Sequence, residues 1–144
     1  MLVHQILKDK NDGAVVTVAP DSTLGQAAQL LSTHRIGALI VSRDGKVPLG
    51  ILSERDIVRE LGRTGAGCLS NTVDQVMTSK LIGCTRDETA LAVLQKMTDG
   101  RFRHMPVMDG AEMIGLISIG DVVKGRLSEL KMEKDALEGM IMGH

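Results

Sequence analysis

The chain has 144 residues, a formal net charge of −1 and a 43% hydrophobic composition with one Phe and no Tyr or Trp. Such a length suits one compact domain or two small repeats sharing a core, which must be aliphatic, built from Val, Ile, Leu, Ala and nine Met. The near-neutral charge and the lack of aromatic stacking platforms argue against a nucleic-acid partner.

No apolar run reaches the roughly 18 residues needed to cross a bilayer, so no membrane partner is expected. Lys8, Asp9, Lys10 and Asp12 stand where a secretory signal would have its apolar stretch, which makes the cytoplasm the expected location. Cys68 and Cys84 lie far apart in no metal-like spacing and read as buried or loop thiols. His4, His34 and His144 are too scattered to suggest a metal site. The methionines read as aliphatic core filler, with an adaptable docking surface as the alternative.

In chain order, the predicted elements begin with a lead-in, Leu2 to Leu7, and a short strand, Val15-Val16-Thr17-Val18. Asp21 is placed to N-cap a helix whose Leu24, Ala27, Ala28 and Leu31 share one face. Two strands follow, Ala38 to Val41 and Leu49 to Leu52, around a turn at Asp44-Gly45. A second helix starts after Ser53. Residues Arg63 to Asn71 read as a connecting loop, and Thr72 to Thr78 as a short helical turn matching Leu2 to Leu7.

The series then recurs: a strand at Leu81 to Cys84, a cap at Asp87, and a helix facing inward through Ala90, Val93, Leu94 and Met97. The strands Met105 to Met108 and Met113 to Ile117 flank a turn at Asp109-Gly110, and a last helix follows. Beyond Asp121, the apolar residues Val123, Leu127, Leu130, Leu137 and Ile141 alternate in steps of four and three, interrupted by Lys134. So narrow a seam suits contact with another helix, in a partner subunit or in its own domain.

The chain is therefore α+β: two β-α-β-β-α repeats, Val15 to Gly62 and Leu81 to Leu127, plus a C-terminal helix. The expected division is residues 1–71 for repeat one with its lead-in and connecting loop, 72–127 for repeat two, and 128–144 for a helical extension. Each repeat contains the same phrase at a strand-to-helix junction: Gly50-Ile51-Leu52-Ser53-Glu54-Arg55-Asp56-Ile57-Val58 and Gly115-Leu116-Ile117-Ser118-Ile119-Gly120-Asp121-Val122-Val123. Four of the nine positions are identical and three more exchange one aliphatic residue for another.

Taken singly, Ser-x-x-Asp is a capping box that satisfies helix N–H groups. The same geometry serves a nucleotide, with a helix N-terminus and a serine hydroxyl for phosphate and a carboxylate for two ribose hydroxyls. Duplication of Ser and Asp while the intervening pair changes favours the second reading, with two sites.

These phrases, with Arg101-Phe102-Arg103-His104-Met105-Pro106-Val107, resemble tandem CBS (cystathionine-β-synthase) domains, the Bateman module, and especially small stand-alone bacterial CBS-pair proteins. The resemblance covers roughly residues 1 to 127. It implies two repeats related by pseudo-twofold symmetry, two clefts for AMP, ADP, ATP, NAD(H) or S-adenosylmethionine, and docking of two modules as a flat homodimer.

Carried onto this chain, it implies one cleft with Asp121 on ribose and Ser118, Arg103 and His104 on phosphate. Leu116, backbone near Ala14 to Val16, Ile36 and Gly37 would line that cleft. The other would use Ser53, Arg55 and Asp56 with Ile51, closed by Lys80, Ile82 and Phe102. Arg101 reads as solvated surface. Repeat one has Gly37-Ala38 where repeat two has Arg103-His104, so the Asp121 cleft is expected to prefer a monophosphate such as AMP. The Asp56 cleft is expected to take a longer phosphate chain or a dinucleotide.

No P-loop, Ser-His-acid set or Cys/His cluster is evident, so neither catalytic residues, a catalytic cofactor nor a metal is expected. The leading expectation is a non-catalytic sensor that signals by conformational change to an effector protein the sequence does not name. The alternatives are a homodimeric scaffold subunit with vestigial clefts and, more remotely, an enzyme acting on a bound nucleotide.

Overall fold

A computed structural model describes residues 1–10 and 15–142. Ala14 and His144 lie outside the described residues. The chain divides into two compact units: one holds the N-terminal segment with Gly83–Met108 and the chain from Gly115 onward, the other the chain up to Ile82 with Asp109–Ile114.

In the unit built on repeat one, strand β1 (Thr17–Val18) pairs in parallel with β2 (Ala38–Val41), Thr17 opposite Ile40. Strand β3 (Gly50–Ser53) pairs antiparallel to β2, Ala38 opposite Ser53 and Val41 opposite Gly50. Helix α2 (Leu24–His34) connects β1 to β2, and α3 (Glu54–Thr64) follows β3. Leu24, Ala27 and Leu31 of α2 join Val18, Leu39, Val41, Leu52 and Ile57 in a buried aliphatic core, so the helical and strand periodicities converge on one cluster.

The other unit repeats the plan. Helix α4 (Ala90–Gly100) precedes β4 (His104–Asp109) and β5 (Glu112–Ser118), which pair in a two-stranded sheet, and α5 (Ile119–Ile141) runs on from β5. Its core joins Ala90, Val93 and Met97 to Met105, Val107, Ile117 and Val122. Helix α1 (Val3–Lys10) contributes Val3 and Ile6 to this core, although it precedes repeat one in the chain.

The α+β repeat and the long C-terminal helix are as expected, with local corrections. The run from Leu81 to Cys84 is not a strand; it makes a single bridge, Cys84 to Val107. The strand expected at Val15–Val18 shortens to Thr17–Val18. Asp21 and Asp87 are not the caps: Thr23 and Thr89 take that place, each accepting from a helix N–H (Gln26 and Ala92) at 3.1 Å. The helices begin two residues later than the acids allow.

The expected loop after Gly62 is also more ordered. Helix α3 continues to Thr64, and a short 3-10 turn at Ala66–Ser70 buries Cys68. A second such turn at Val73–Gln75 matches the one expected. Asp44-Gly45 lies within a loop from Ser42 to Leu49, where the Asp44 carboxylate accepts from the N–H of Lys46 and Val47 at 2.8 and 2.9 Å. In repeat two, Asp109 ends β4 and the turn falls on Gly110-Ala111, with Gly110 at φ 64°. Met97 and Met105 fill core, whereas Met132, Met140 and Met142 are exposed.

The glycine opening each phrase has a packing reason. A Cβ on Gly50 would sit 2.9 Å from the Thr78 carbonyl oxygen, and one on Gly115 would sit 2.7 Å from a Leu7 methyl. A methyl can swing aside; a carbonyl held in a backbone bridge with Ile51 cannot. Gly50→Ala is expected to cost about 1–3 kcal/mol. Gly115→Ala should cost less, a difference that urea unfolding of the two variants would measure.

Candidate ligand site

Both phrases fold into the same local structure. Ser53 and Ser118 have extended backbone and N-cap α3 and α5. The serine hydroxyls accept from the N–H of Asp56 at 3.2 Å and of Asp121 at 3.1 Å. In return each carboxylate Oδ2 accepts from the N–H of its own serine at 2.9 Å. The reciprocal capping box is therefore real in both copies.

A third bond repeats as well. The Glu54 N–H donates to the Gly37 carbonyl at 2.9 Å, and the Ile119 N–H donates to the Arg103 carbonyl at 2.8 Å. Gly37 and Arg103 are thus structural equivalents, and so are the strand residues after them, Ala38 and His104. Two of the first three helix N–H groups are consumed in each copy. The N–H of Arg55 and that of Gly120 are the first-turn donors not used in these caps. The expected phosphate site at each helix N-terminus is accordingly narrower than four orphan donors would allow.

The two acids differ in their surroundings. Asp121 Oδ2 also accepts from Lys10 Nζ at 2.8 Å, and the same ammonium donates to the Leu116 carbonyl at 3.0 Å. Asp56 instead meets Arg59 Nη1 at 3.4 Å, a long contact to a side chain that is mostly in solvent. Burial pushes the Asp121 carboxyl up, but Lys10 together with the N–H and hydroxyl of Ser118 outweighs it and holds the group below the ordinary value of 3.8.

A depressed folded-state pKa contributes stability that is present above the unfolded value and lost as pH falls through the folded one. Wild-type stability should therefore decline below about pH 4 more steeply than that of Asp121→Asn, as acid titration of urea midpoints would show. Equal slopes would remove Asp121 from the acid transition.

The structure brings Ser118, Asp121, Arg103, His104 and Leu116 into one unit, and Ser53, Arg55, Asp56, Ile51, Lys80, Ile82, Val16, Ile36 and Gly37 into the other. Phe102 belongs to the first unit, where it packs against the core beside Gly100. The two serines and two acids are half-buried, and Arg103, Arg55, Lys80 and Ile82 are exposed. Arg101 is the left-handed residue that ends α4 at φ 56°, as Arg35 ends α2 at φ 54°.

Lys10 was not among the expected site residues. A signal for it does exist: laying Val3-His4-Gln5-Ile6-Leu7 on Val73-Asp74-Gln75-Val76-Met77 sets Lys10 opposite Lys80. Among the described residues, no group of three or more His, Cys, Asp or Glu could hold a metal ion, and no helix is long and apolar enough to cross a membrane.

Two repeats of a helix, two strands and a second helix, each with a Ser-x-x-Asp cap, define a tandem module. The family model of the CBS domain matches residues 11–63 and again 73–128, and the chain belongs to that family. The mitochondrial CBS domain-containing protein CBSX3 of Arabidopsis thaliana is 35% identical over 98% of this chain and 72% of its own. Longer plant relatives also match: CBSCBSPB5 is 30% identical over 86% of this chain, which spans only 22% of that protein.

Among solved structures, the CBS-domain protein ATU1752 from Agrobacterium tumefaciens superposes with a TM-score of 0.83 at 42% identity, covering 88% of this chain and 99% of that one. The fold is shared by PAE2072 from Pyrobaculum aerophilum, solved with AMP, at 24% identity, a TM-score of 0.74 and coverage of 84% and 89%. It is shared too by the CBS pair of MJ0100, solved with 5-methylthioadenosine and S-adenosyl-L-methionine, at 22% identity, a TM-score of 0.77 and coverage of 90% and 98%. No enzymatic family is indicated by these matches.

Proposed function

We propose that this chain is a non-catalytic regulatory module that binds adenosine nucleotides at two places and passes the change to an effector protein. One site is assigned to Ser118, Asp121, Arg103 and His104, and the other to Ser53, Arg55, Asp56 and Lys80. The observation that carries the reading is the duplicated cap. Each capping box engages Oδ2 of its acid, leaving Oδ1 outside the capping bonds and one first-turn N–H unused. A fixed carboxylate beside a helix N-terminus suits a ribose next to a phosphate. Relatives of the same fold solved with AMP, methylthioadenosine or S-adenosylmethionine support that ligand class.

On this reading the Asp121 site takes AMP, since His104 and Arg103 stand where the other repeat has Ala38 and Gly37. The Asp56 site takes ATP, ADP or NAD(H), its phosphates meeting Arg55 and Lys80. The module works in the cytoplasm as a homodimer. An interaction subunit is the second reading, favoured by the exposed apolar residues of α5.

A thermal-shift panel with AMP, ADP, ATP, NAD, NADH and S-adenosylmethionine tests the proposal. Ligand at about 100 times its dissociation constant should add roughly 2.7 kcal/mol of stability. No shift with any of the six would overturn the sensor reading in favour of the interaction subunit.

A further inference from the structure

We propose that Lys10 sets the charge preference of the Asp121 site, favouring an adenosine ligand with an anion on its 5′ carbon and disfavouring a sulfonium there. The inference rests on the ligand reading above and adds a specificity-determining residue to it. Relatives of this fold have been solved with both kinds of ligand, AMP in one and S-adenosyl-L-methionine in another. A carboxylate that holds ribose hydroxyls stands close to whatever the 5′ carbon carries. For a nucleoside monophosphate that neighbour is an anion, so an unscreened acid repels the ligand it holds.

Lys10 offsets that repulsion at Asp121. Its ammonium lies 2.8 Å from Asp121 Oδ2 and donates to the Leu116 carbonyl at 3.0 Å, so two acceptors hold it. Its backbone is anchored as well. Lys10 ends α1, which buries Val3 and Ile6 and sets Leu7 against Gly115. The two side chains of the pair are 23% and 24% exposed, which limits screening by salt. Asp121 Oδ1 lies outside both contacts, so the pair offers a ribose acceptor without a net charge.

Repeat one lacks this arrangement. Lys80 holds the matching place in the sequence, yet it is exposed, and among the described residues it makes no ion pair with Asp56. The cause is local. Helix α1 runs eight residues to Lys10, whereas its counterpart is a three-residue turn ending at Gln75. The chain beyond that turn bridges from Thr78 to Ile51 instead of continuing as helix. Asp56 meets Arg59 at 3.4 Å, and that side chain is 73% exposed, so its charge is screened by solvent.

Calorimetric affinities for adenosine, AMP and S-adenosylmethionine test the inference on the full chain. The measurements use wild type and an Asp56→Ala background, in which the Asp121 site is read alone. Adenosine carries no charge and is the reference within each variant. Lys10→Met and Lys10→Gln, made in that background, remove the ammonium and keep most of the stem. In both, the AMP-to-adenosine affinity ratio should fall roughly tenfold and the S-adenosylmethionine-to-adenosine ratio should rise. Lys10→Arg keeps the charge and should hold both ratios within about twofold. Ratios unchanged in the neutral variants, or shifted equally by Lys10→Arg, overturn the inference and leave the ligand reading standing. A wild type that binds none of the three overturns the ligand reading itself. Binding lost in the Asp56→Ala background alone overturns the Asp121 site; either result removes this inference with it.

Discussion

Replacing Asp121 with alanine is expected to abolish the stabilisation conferred by AMP while lowering the unliganded stability by about 1–2 kcal/mol, the range of a lost helix cap. Two roles meet in this side chain. Its Oδ2 holds the Ser118 N–H and the Lys10 ammonium, and its Oδ1 lies outside both contacts. Alanine removes all of it. Asparagine separates the roles: its carbonyl oxygen still accepts from the Ser118 N–H, so the cap survives, but Lys10 loses its counter-charge. Asp121→Asn should therefore lie closer to wild type in urea unfolding and closer to alanine in the AMP shift. Asp56→Ala should lose similar stability yet keep the AMP shift. An AMP shift of wild-type size in Asp121→Ala would take that residue out of the site, whatever the ligand.

Truncation of the β5 core should cost more. Ile117 is fully buried and packs with residues from α1, α4, β4 and α5. Ile117→Ala removes three methylene-sized groups from a site bounded on several sides and should cost 2–5 kcal/mol, roughly the range for buried aliphatic truncation. Leu52, its counterpart in the phrase of repeat one, is equally buried and should behave the same way. Chemical unfolding reads this directly: the midpoint should fall while the denaturant slope stays constant. A loss below 1 kcal/mol, roughly what an exposed position shows, would mean that the strand is not packed as described.

Much of the fold was legible because its signals are local. Ser53 to Asp56 and Ser118 to Asp121 are three residues apart, and a capping box needs nothing more distant than that. The amphipathic faces of α2 and α4 follow from spacing alone. The cap positions were not legible: Asp21 and Thr23 are both competent caps, and the choice depends on where the turn before the helix ends. The Leu81 to Cys84 run looked like a strand because its composition suits one, yet a strand also needs a neighbour for its length, and here only Cys84 has one.

The sequence by itself determined the repeated unit, the two capped helix starts, the aliphatic cores and the asymmetry between Gly37-Ala38 and Arg103-His104, since each depends on neighbours a few residues apart or on comparing the two copies. Only the tertiary structure decided that α1 joins the core of the second repeat, that the phrase glycines make room for a crossing segment, and that Lys10 reaches Asp121 across 111 positions of chain. Such pairings arise from chain closure. Their energies depend on which surfaces meet once the cores have formed, and no local spacing encodes that.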